Sequence, residues 1–337
     1  MDNNILVDVI IPVYNVRSFL REALNSVIDQ SYSNLEILII DDGSSDGSSQ
    51  ICDEYAKKDT RISVIHQQNK GLSAARNIGL DKMTGEIVAF LDPDDAFHPE
   101  YVETMLNIMI HEKVDVVICK YTVHKTNTIM RQTGREGAIP KASQGKYDRC
   151  SSLRMLADDE IGASVWNKIY KRKLWNDIRF PEGRVFEDTN TTYQIIDLCE
   201  SVFILNRTLY LHRIHSGSIT GTYSWDNLND RLFARSHFNT FIEDNIPEVF
   251  SQEQAKARKQ GNITVMIEYY AHLSGLATYD DVIKINNLRC MILETKKEVG
   301  IETCSLRTKI TYYMIRYCPW FLNSIYPLYN WIKSIHR

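Results

Sequence analysis

The chain has 337 residues, 44% of them hydrophobic and 24% charged, a composition typical of a globular protein of about two domains. Lysine and arginine number 39 against 43 aspartates and glutamates, so there is no net basic charge to hold nucleic acid. The seven scattered cysteines form no CxxC pair, which favours reduced thiols over a zinc site. Disordered, collagen-like and coiled-coil proteins are excluded, and no nucleic-acid partner is predicted.

We expect no targeting signal at the start of the chain. Residues 1–4 contain no basic stretch, and the apolar run that follows is too short for a signal peptide. No stretch reaches about 18 uninterrupted apolar residues, the length that spans a bilayer. We therefore expect a cytoplasmic chain without a membrane-spanning segment.

Short β-branched runs alternate with amphipathic helices in the first third of the chain. Strands are predicted at 7–12, 35–40, 62–66, 86–91 and 114–121, with helices at 16–30, 48–57, 72–83 and 99–113 between them. This alternation predicts an α/β fold with a mostly parallel, doubly wound sheet whose ligands bind at the carboxyl ends of the strands.

The pattern changes after residue 122. A polar stretch to about residue 149 is predicted to form loops or an irregular insertion, and helices or strands resume at 166–175, 187–199, 202–205 and 208–213. A flexible segment, 216–221, then precedes a mainly helical remainder. We predict an α/β domain over residues 1–225 and a helical C-terminal extension over residues 226–337.

Carboxylates follow the predicted strands. Asp42 comes after the second strand, and Asp92 and Asp94 form a D-x-D turn after the fourth. Two carboxylates this close need a cation or raised pKa values, and oxygen ligands suit Mg²⁺ or Mn²⁺. The alternative is a plain turn with helix caps, because aspartate favours both positions.

Four ordered segments resemble a known family. They are VDVIIPVYN (7–15), NLEILIIDDGSSDG (34–47), NKGLSAARNIG (69–79) and FLDPDD (90–95). Together they resemble the nucleotide-sugar-binding half of the family 2 glycosyltransferases over residues 5–225. The resemblance implies the A-type glycosyltransferase fold, an inverting transfer reaction, a UDP-sugar donor and Mn²⁺ or Mg²⁺ as cofactor.

The resemblance also implies roles for particular residues. Without the flanking motifs, loop packing for Tyr14 and a solvated helix face for Arg76 would be favoured, and a histidine pair three residues apart is more often a surface or packing feature. The implied donor-site residues are Pro12, Tyr14 and Asn15 for the nucleoside, Asp42 for the uracil, Arg76 and Arg213 for the pyrophosphate, Asp92 for the ribose or sugar, and Asp94 with Asp92 for the metal, with His212 or His215 as a further ligand.

Two later segments resemble the acceptor side of the same family. Glu187 and Asp188 match a glutamate-aspartate motif at a helix start, which implies that Asp188 is the general base and that Glu187 orients it or contacts the acceptor. Helix capping is the alternative. Trp166 and Lys168, in SVWNKIYKRKLW (164–175), match a segment beside the donor sugar or acceptor, although a core tryptophan is equally plausible.

The C-terminal segment combines aromatic and basic residues. Residues 303–337 contain no Asp or Glu, but five Lys or Arg and eight aromatic residues. This composition favours an anionic headgroup surface and predicts a peripheral tail on the inner face of the cell membrane. With the resemblance, it suggests a polyprenyl-diphosphate-linked saccharide acceptor in the synthesis of capsule, exopolysaccharide or O-antigen. A helical pair that covers an apolar face of the protein, or of a homodimer partner, is the alternative.

Two other classes of protein compete with the transferase hypothesis. One is a non-catalytic nucleotide-sugar-binding subunit of a polysaccharide assembly complex, which would have no need to keep Asp92, Asp94 and Asp188 together. The other is a sugar nucleotidyltransferase, which would ordinarily show a glycine- and lysine-rich phosphate loop near the first strand. Residues 13–16 are Val-Tyr-Asn-Val, so the transferase is favoured.

Overall fold

A computed structural model describes residues 4–124, 135–136, 140–215, 223–247, 251–274 and 281–319. The predicted flexible segment 216–221 and the tail from residue 320 lie outside the described residues. The chain divides into two compact units, Met1–Ser218 and Ile219–Arg337. The boundary predicted from the sequence, after residue 225, falls slightly later.

The first unit begins with the expected alternation of strands and helices, and most boundaries agree with the sequence to within three residues. Its elements are β1 (Val7–Val13), α1 (Arg17–Ile28), β2 (Leu35–Asp41), α2 (Ser48–Ala56), β3 (Ile62–His66), α3 (Leu72–Lys82), β4 (Ile87–Phe90), β5 (Ala96–Phe97), α4 (Tyr101–Glu112), β6 (Val116–His124), β7 (Arg135–Glu136), β8 (Gly145–Asp148), α5 (Arg149–Ala157), β9 (Lys168–Lys171), a short 3₁₀ helix (Arg172–Trp175), α6 (Glu187–Asp197) and β10 (Ser201–Arg213).

The strands form one sheet in the order β3-β2-β1-β4-β9-β6-β10-β5, with β7 on β6 and β8 on β10. β1 runs parallel to β2 and β4, β2 to β3, and β6 to β10. β9 lies antiparallel between β4 and β6, so those two strands share one direction. The predicted α/β fold with a mostly parallel sheet is confirmed, and the reversed β9 is an addition that the alternation did not indicate.

Two local predictions were wrong. The runs 202–205 and 208–213 belong to the single strand β10, whose pairing with β6 shifts register between Leu205 and Tyr210. The exposed Asn206 and Arg207 interrupt the apolar pattern there without ending the strand. The polar stretch before residue 149 contains β8, an antiparallel partner of β10 whose side chains are partly or fully exposed, so its polarity hid it.

Close packing fixes α3 against the sheet. A Cβ atom at Gly79 would overlap the Ile10 side chain of β1, so only glycine allows this approach. β1 is buried along its whole length, and β2 is almost as well covered. The helix that carries Arg76 is therefore held firmly beside the carboxyl ends of the central strands.

The second unit contains α7 (Trp225–Asn245), α8 (Gln252–Ser274), α9 (Val282–Val299) and α10 (Leu306–Tyr317). They pack around their own apolar core, which includes Ile263, Met266, Leu288, Ile292 and Ile315. The predicted helical C-terminal region is confirmed. Within the described ranges, no helix combines the length and the apolar character needed to cross a bilayer.

Candidate active site

The ends of β1 and β2 are joined by hydrogen bonds. Pro12 is buried within β1, whereas Tyr14, just beyond it, is 48% exposed. Asn15 adopts a left-handed backbone with φ of 50°, which asparagine tolerates better than most residues. Its N–H donates to Ser44 Oγ at 3.1 Å, and its Oδ1 accepts from the Ser45 N–H at 2.8 Å. These bonds hold the exposed Tyr14 ring at the edge of the sheet.

Asp42 organises the loop between β3 and α3. Its carboxylate is buried and accepts hydrogen bonds from Gln67 Nε2 at 2.7 Å and from the N–H groups of Lys70 and Gly71 at 2.8 Å each. A carboxylate offers about four acceptor positions, so three are already occupied. The predicted bond from uracil to Asp42 would use the remaining one.

Arg76 joins the two acidic motifs. Its guanidinium is 2% exposed and pairs with Asp92 Oδ1 at 2.8 Å and with Glu187 Oε1. Burial disfavours the charged form, but Asp92 and Glu187 keep the pKa of Arg76 above its ordinary value. In this arrangement Arg76 is a buried counter-ion that ties the D-x-D turn to the start of α6.

Asp94 lies against the end of β10. Its Oδ2 is 2.9 Å from His215 Nε2, and the Arg213 Nε–H donates to its main-chain oxygen at 2.7 Å. Burial and the nearby charge of Asp92 raise the pKa of Asp94. The Arg213 guanidinium is itself buried and pairs with Glu22 at 2.7 Å.

Asp95 holds His212, one of the two histidines that the sequence analysis offered as a further metal ligand. Its buried carboxylate accepts from Tyr210 Oη–H at 2.8 Å and from the Arg213 N–H at 2.7 Å, and it lies 3.1 Å from His212 Nδ1. Burial raises the pKa of Asp95 to about 6, although His212 opposes the rise. Of the two histidines, His215 therefore meets Asp94, and His212 is engaged with Asp95.

Trp166 packs over the strand that carries these histidines. Its ring is stacked on Tyr210 at 4.4 Å and on His212 at 5.1 Å between centroids, and Tyr121 meets it edge-on. The indole remains partly exposed. The packing role that the sequence offered for Trp166 is thus present, and the accessible part of the ring leaves its sugar-facing role as a prediction.

Lys168 is buried inside the unit. Its Nζ donates to the main-chain oxygens of Gly162 at 2.8 Å and Ser164, and to Asn167 Oδ1 at 2.9 Å. Burial lowers the pKa of Lys168 to about 7, and the charge of Asp188 opposes that fall. Three acceptors around one nitrogen require three N–H groups, which only the ammonium form supplies.

Asp188 is the second residue of α6, which follows Phe186, a residue with a left-handed backbone and φ of 60°. Its Oδ1 accepts from the Thr189 N–H at 2.7 Å. Burial and the charge of Glu187 raise the pKa of Asp188 to about 7, although Arg76 opposes the rise. A carboxyl with this pKa can take up a proton near neutral pH, as a general base must.

Phe19 and Glu22 are site residues that the sequence analysis missed. Phe19 lies 4.6 Å from the His215 ring and 4.7 Å from the Arg213 guanidinium carbon, and Glu22 pairs with the same arginine. Both lie on α1, where Phe19 looked like part of the core-facing stripe. No local signal could have revealed contacts with a strand nearly two hundred residues away.

The donor set suits a hard divalent cation. Among the described residues, no three His, Cys, Asp or Glu side chains converge as a ready-made metal site. Asp94 and His215 meet, however, and Asp92 adds its charge to the same cluster. Mg²⁺ and Mn²⁺ commonly bind through one or two carboxylates together with substrate phosphates, so these residues fit such an ion.

Fold and site define a transferase-type α/β protein, and the family follows from its sequence. The sequence model for Glycosyl transferase family 2 matches residues 8–182. The chain therefore belongs to glycosyl transferase family 2, as its motifs predicted.

Several named proteins are similar to this chain. Glycosyltransferase GlyA of Streptococcus pneumoniae serotype 4 is 33% identical over 82% of this chain, which spans 40% of GlyA. Putative glycosyltransferase EpsH of Bacillus subtilis is 33% identical over 71% of this chain and 70% of its own length. The chain thus spans less than half of one relative and most of the other.

Solved structures share the fold. Staphylococcus aureus TarS 1–349 in complex with UDP-GlcNAc has a TM-score of 0.66 at 19% identity, and the match covers 95% of this chain and 90% of that one. The mannosyltransferase PcManGT from Pyrobaculum calidifontis, in complex with GDP-Man and Mn²⁺, has a TM-score of 0.54 at 17% identity, covering 96% and 87%. With the family match, these similarities confirm the A-type glycosyltransferase fold.

Proposed function

We propose that the protein transfers a sugar from a UDP-sugar to a hydroxyl of a saccharide acceptor, with inversion at the anomeric carbon. The observation that carries the proposal is the environment of Asp188. Its half-buried carboxyl, with a pKa raised to about 7, follows Glu187, which Arg76 connects to Asp92. A base and a donor-side carboxylate are thereby held in one network.

The reaction is a single displacement. The acceptor hydroxyl attacks the anomeric carbon while the bond from that carbon to the diphosphate oxygen breaks, and Asp188 takes the hydroxyl proton. Arg213 supports the turn that carries Asp94 through its bond to the Asp94 main-chain oxygen. A Mn²⁺ or Mg²⁺ ion held by Asp94 and His215 would offset the charge that gathers on the leaving diphosphate.

UDP is the proposed nucleotide. Structures of TarS 1–349 are described in complex with UDP-GlcNAc and with UDP, and the motif resemblance assigns Asp42 to the uracil. PcManGT is described with GDP-Man, so GDP is the comparison to include in any binding test. Uridine recognition would draw on the exposed Tyr14 ring and the remaining acceptor position of Asp42.

Calorimetric titration tests the donor site. UDP and GDP are titrated into the full chain with Mn²⁺, with Mg²⁺ and with EDTA, and the series is repeated on Asp94→Asn. We expect metal-dependent UDP binding that falls at least about tenfold in the variant, because the amide loses the charge that holds the cation. Asp177→Asn, an exposed carboxylate, is the matched control. UDP binding that is equal with metal and with EDTA would contradict the metal assignment.

Product analysis tests the reaction. UDP-glucose, UDP-galactose and UDP-GlcNAc are each incubated with octyl glycosides as acceptors, and the new linkage is read by NMR. These donors are α-configured, so we expect a β-linked product. An α-linked product would refute inversion. Release of pyrophosphate from UTP and a sugar phosphate would favour the nucleotidyltransferase instead.

The acceptor is proposed to be lipid-linked because α10 carries a membrane-type surface. Its outward stripe consists of Leu306, Ile310, Tyr313 and Tyr317, which are 74%, 52%, 51% and 64% exposed. Their spacing places them on one helical face, while Tyr312 and Ile315 pack into the core of the second unit. The flanking cations are Arg307, Lys309 and Arg316. An apolar aromatic face with cationic borders suits an anionic lipid surface.

Vesicle binding tests this surface. The full chain is sedimented with vesicles of phosphatidylcholine alone and with added phosphatidylglycerol, alongside Ile310→Ser/Tyr313→Ser. We expect binding to the anionic vesicles that falls about tenfold or more in the variant, since each exposed apolar side chain contributes about 1–2 kcal/mol on insertion. Ile283→Ser, at an exposed position on α9, is the control. Equal binding by parent and variant would remove α10 from the proposal, and a dimer that dissociates only in the variant would favour the homodimer alternative.

A further inference from the structure

A short irregular segment before β9 has all three of its carbonyl groups bound from inside the protein. In this segment, Gly162–Ser164, the Lys168 ammonium donates to the first and third carbonyl oxygens. The Thr192 Oγ1–H donates to the oxygen of Ala163 between them. Two buried side chains from different elements thus fix the orientation of three successive peptide groups.

The N–H groups of the same segment differ from its carbonyl groups. Among the described residues, no acceptor bonds the N–H of Gly162, Ala163 or Ser164, and all three residues are partly exposed. The N–H groups of Ala163 and Ser164 share their peptide groups with the bound carbonyls of Gly162 and Ala163. Backbone donors need a partner from the protein, from water or from a ligand. The segment therefore presents a short row of donors that a ligand with oxygen acceptors can use.

This row lies beside the proposed base. Thr192 follows Asp188 by one helical turn, so the two side chains lie on the same face of α6. Lys168, which holds the segment, also interacts electrostatically with Asp188. Trp166, three residues after the middle of the segment, adds a partly exposed indole.

We propose that the Gly162–Ser164 segment binds the acceptor saccharide, with its N–H groups donating to hydroxyl oxygens next to the one that reacts, and that Lys168 is its positioning residue. The inference rests on the proposed transferase function. A neutral, hydroxyl-rich ligand fits because peptide N–H donors and an aromatic face recognise it without needing an opposite charge. A base has to lie within hydrogen-bond reach of the attacking hydroxyl, so an acceptor site belongs next to Asp188.

The role of Lys168 explains why a charged group is buried there. Removing its ammonium would leave the carbonyl oxygens of Gly162 and Ser164 without their donor, whereas Asn167 Oδ1 would keep its bond from the Ser164 Oγ–H. The segment can relieve the cost of two unpaired carbonyl groups only by moving. Movement would turn the N–H row away from the acceptor while the donor-side residues Asp92 and Asp94 stay in place. The expected defect is thus selective for the acceptor.

The test compares Lys168→Met with Lys171→Met, a control on the same strand whose Nζ pairs with Asp115 at 3.0 Å. UDP binding is measured by calorimetry, and transfer to octyl β-glucoside, β-galactoside and β-N-acetylglucosaminide is measured from pH 6 to 9. For Lys168→Met we expect an unchanged Kd for UDP and an acceptor KM raised about tenfold, the loss of one or two hydrogen bonds. The acid limb of the pH–activity profile of this variant should move to higher pH, because the pKa of Asp188 rises when a neighbouring positive charge is lost.

Thr192→Val gives a second arm that leaves the lysine in place. It removes the bond to Ala163 with little change of volume, so it should raise the acceptor KM in the same direction without moving the pH profile. Parental acceptor KM and pH profile in both variants would overturn the inference while leaving the transferase intact. A parent chain that transfers sugar to none of these glycosides would refute the proposed function and this inference with it, and the UDP titration then shows whether donor binding has failed too.

Discussion

The pH dependence of transfer gives the sharpest prediction for Asp188. With a pKa of about 7, the fraction of Asp188 in the basic, deprotonated form rises from about one tenth at pH 6 to about nine tenths at pH 8. If Asp188 accepts the proton, kcat/KM should rise about tenfold over that range. Initial rates of UDP release with an octyl glycoside acceptor, at subsaturating donor and acceptor, measure this limb.

Substitution locates the limb on this residue. Asp188→Asn should lower transfer about 10²- to 10⁴-fold while UDP still binds, and Asp177→Asn, an exposed carboxylate, should behave like the parent. Glu187→Gln should move the limb to lower pH, because the charge of Glu187 raises the pKa of Asp188. A flat profile from pH 6 to 8, or near-parental turnover by Asp188→Asn, would refute the assignment.

Three further outcomes follow from other parts of the molecule. EDTA should abolish transfer by the parent, with full recovery on excess Mn²⁺, whereas Asp94→Asn should recover little; recovery equal to the parent would count against a metal at this carboxylate. Asp8→Asn should raise the Tm at pH 8 but not at pH 4. Burial and Glu36 raise the pKa of Asp8 in the folded protein to about 7. A carboxyl whose pKa is raised by folding destabilises the folded state as the pH rises from about 4 through 7, and asparagine carries no such charge. Gly79→Ala should destabilise the fold by about 1–3 kcal/mol in urea unfolding because its Cβ would overlap the γ carbons of Ile10. Ile10→Ala removes those carbons, so the double variant should lose less stability than the sum of the two single variants.

The repeating part of the fold could be predicted because its pattern is local. β3 (Ile62–His66) begins and ends where the sequence placed it, since an apolar β-branched run bounded by polar residues specifies a strand by itself. β9 could not be placed in the same way. Its antiparallel insertion between β4 and β6 depends on pairing with strands that are distant in sequence, and Trp166–Trp175 gave no sign of direction.

In the candidate site, too, the sequence motifs could be predicted but the contacts between them could not. The sequence singled out Asp92, Asp94, Glu187 and Asp188, and the structure shows two of them joined through Arg76. The donor-site and base roles of these residues stay predictions. The sequence could not indicate that Arg76 is 2% exposed and that its guanidinium pairs with two carboxylates. Whether an arginine is buried depends on the residues that the rest of the chain places around it.

That burial changes what Arg76 can do. Its guanidinium already bonds Asp92 and Glu187, so binding a pyrophosphate would require it to leave at least one buried carboxylate unpaired, which is costly. Staying in place, it opposes the rise in the pKa of Asp188 and ties the D-x-D turn to the helix that carries Asp188. A buried arginine in this position therefore serves the reaction better as a link between two carboxylate motifs than as a phosphate ligand. In the proposed reaction, a cation at Asp94 would then offset the charge of the leaving diphosphate.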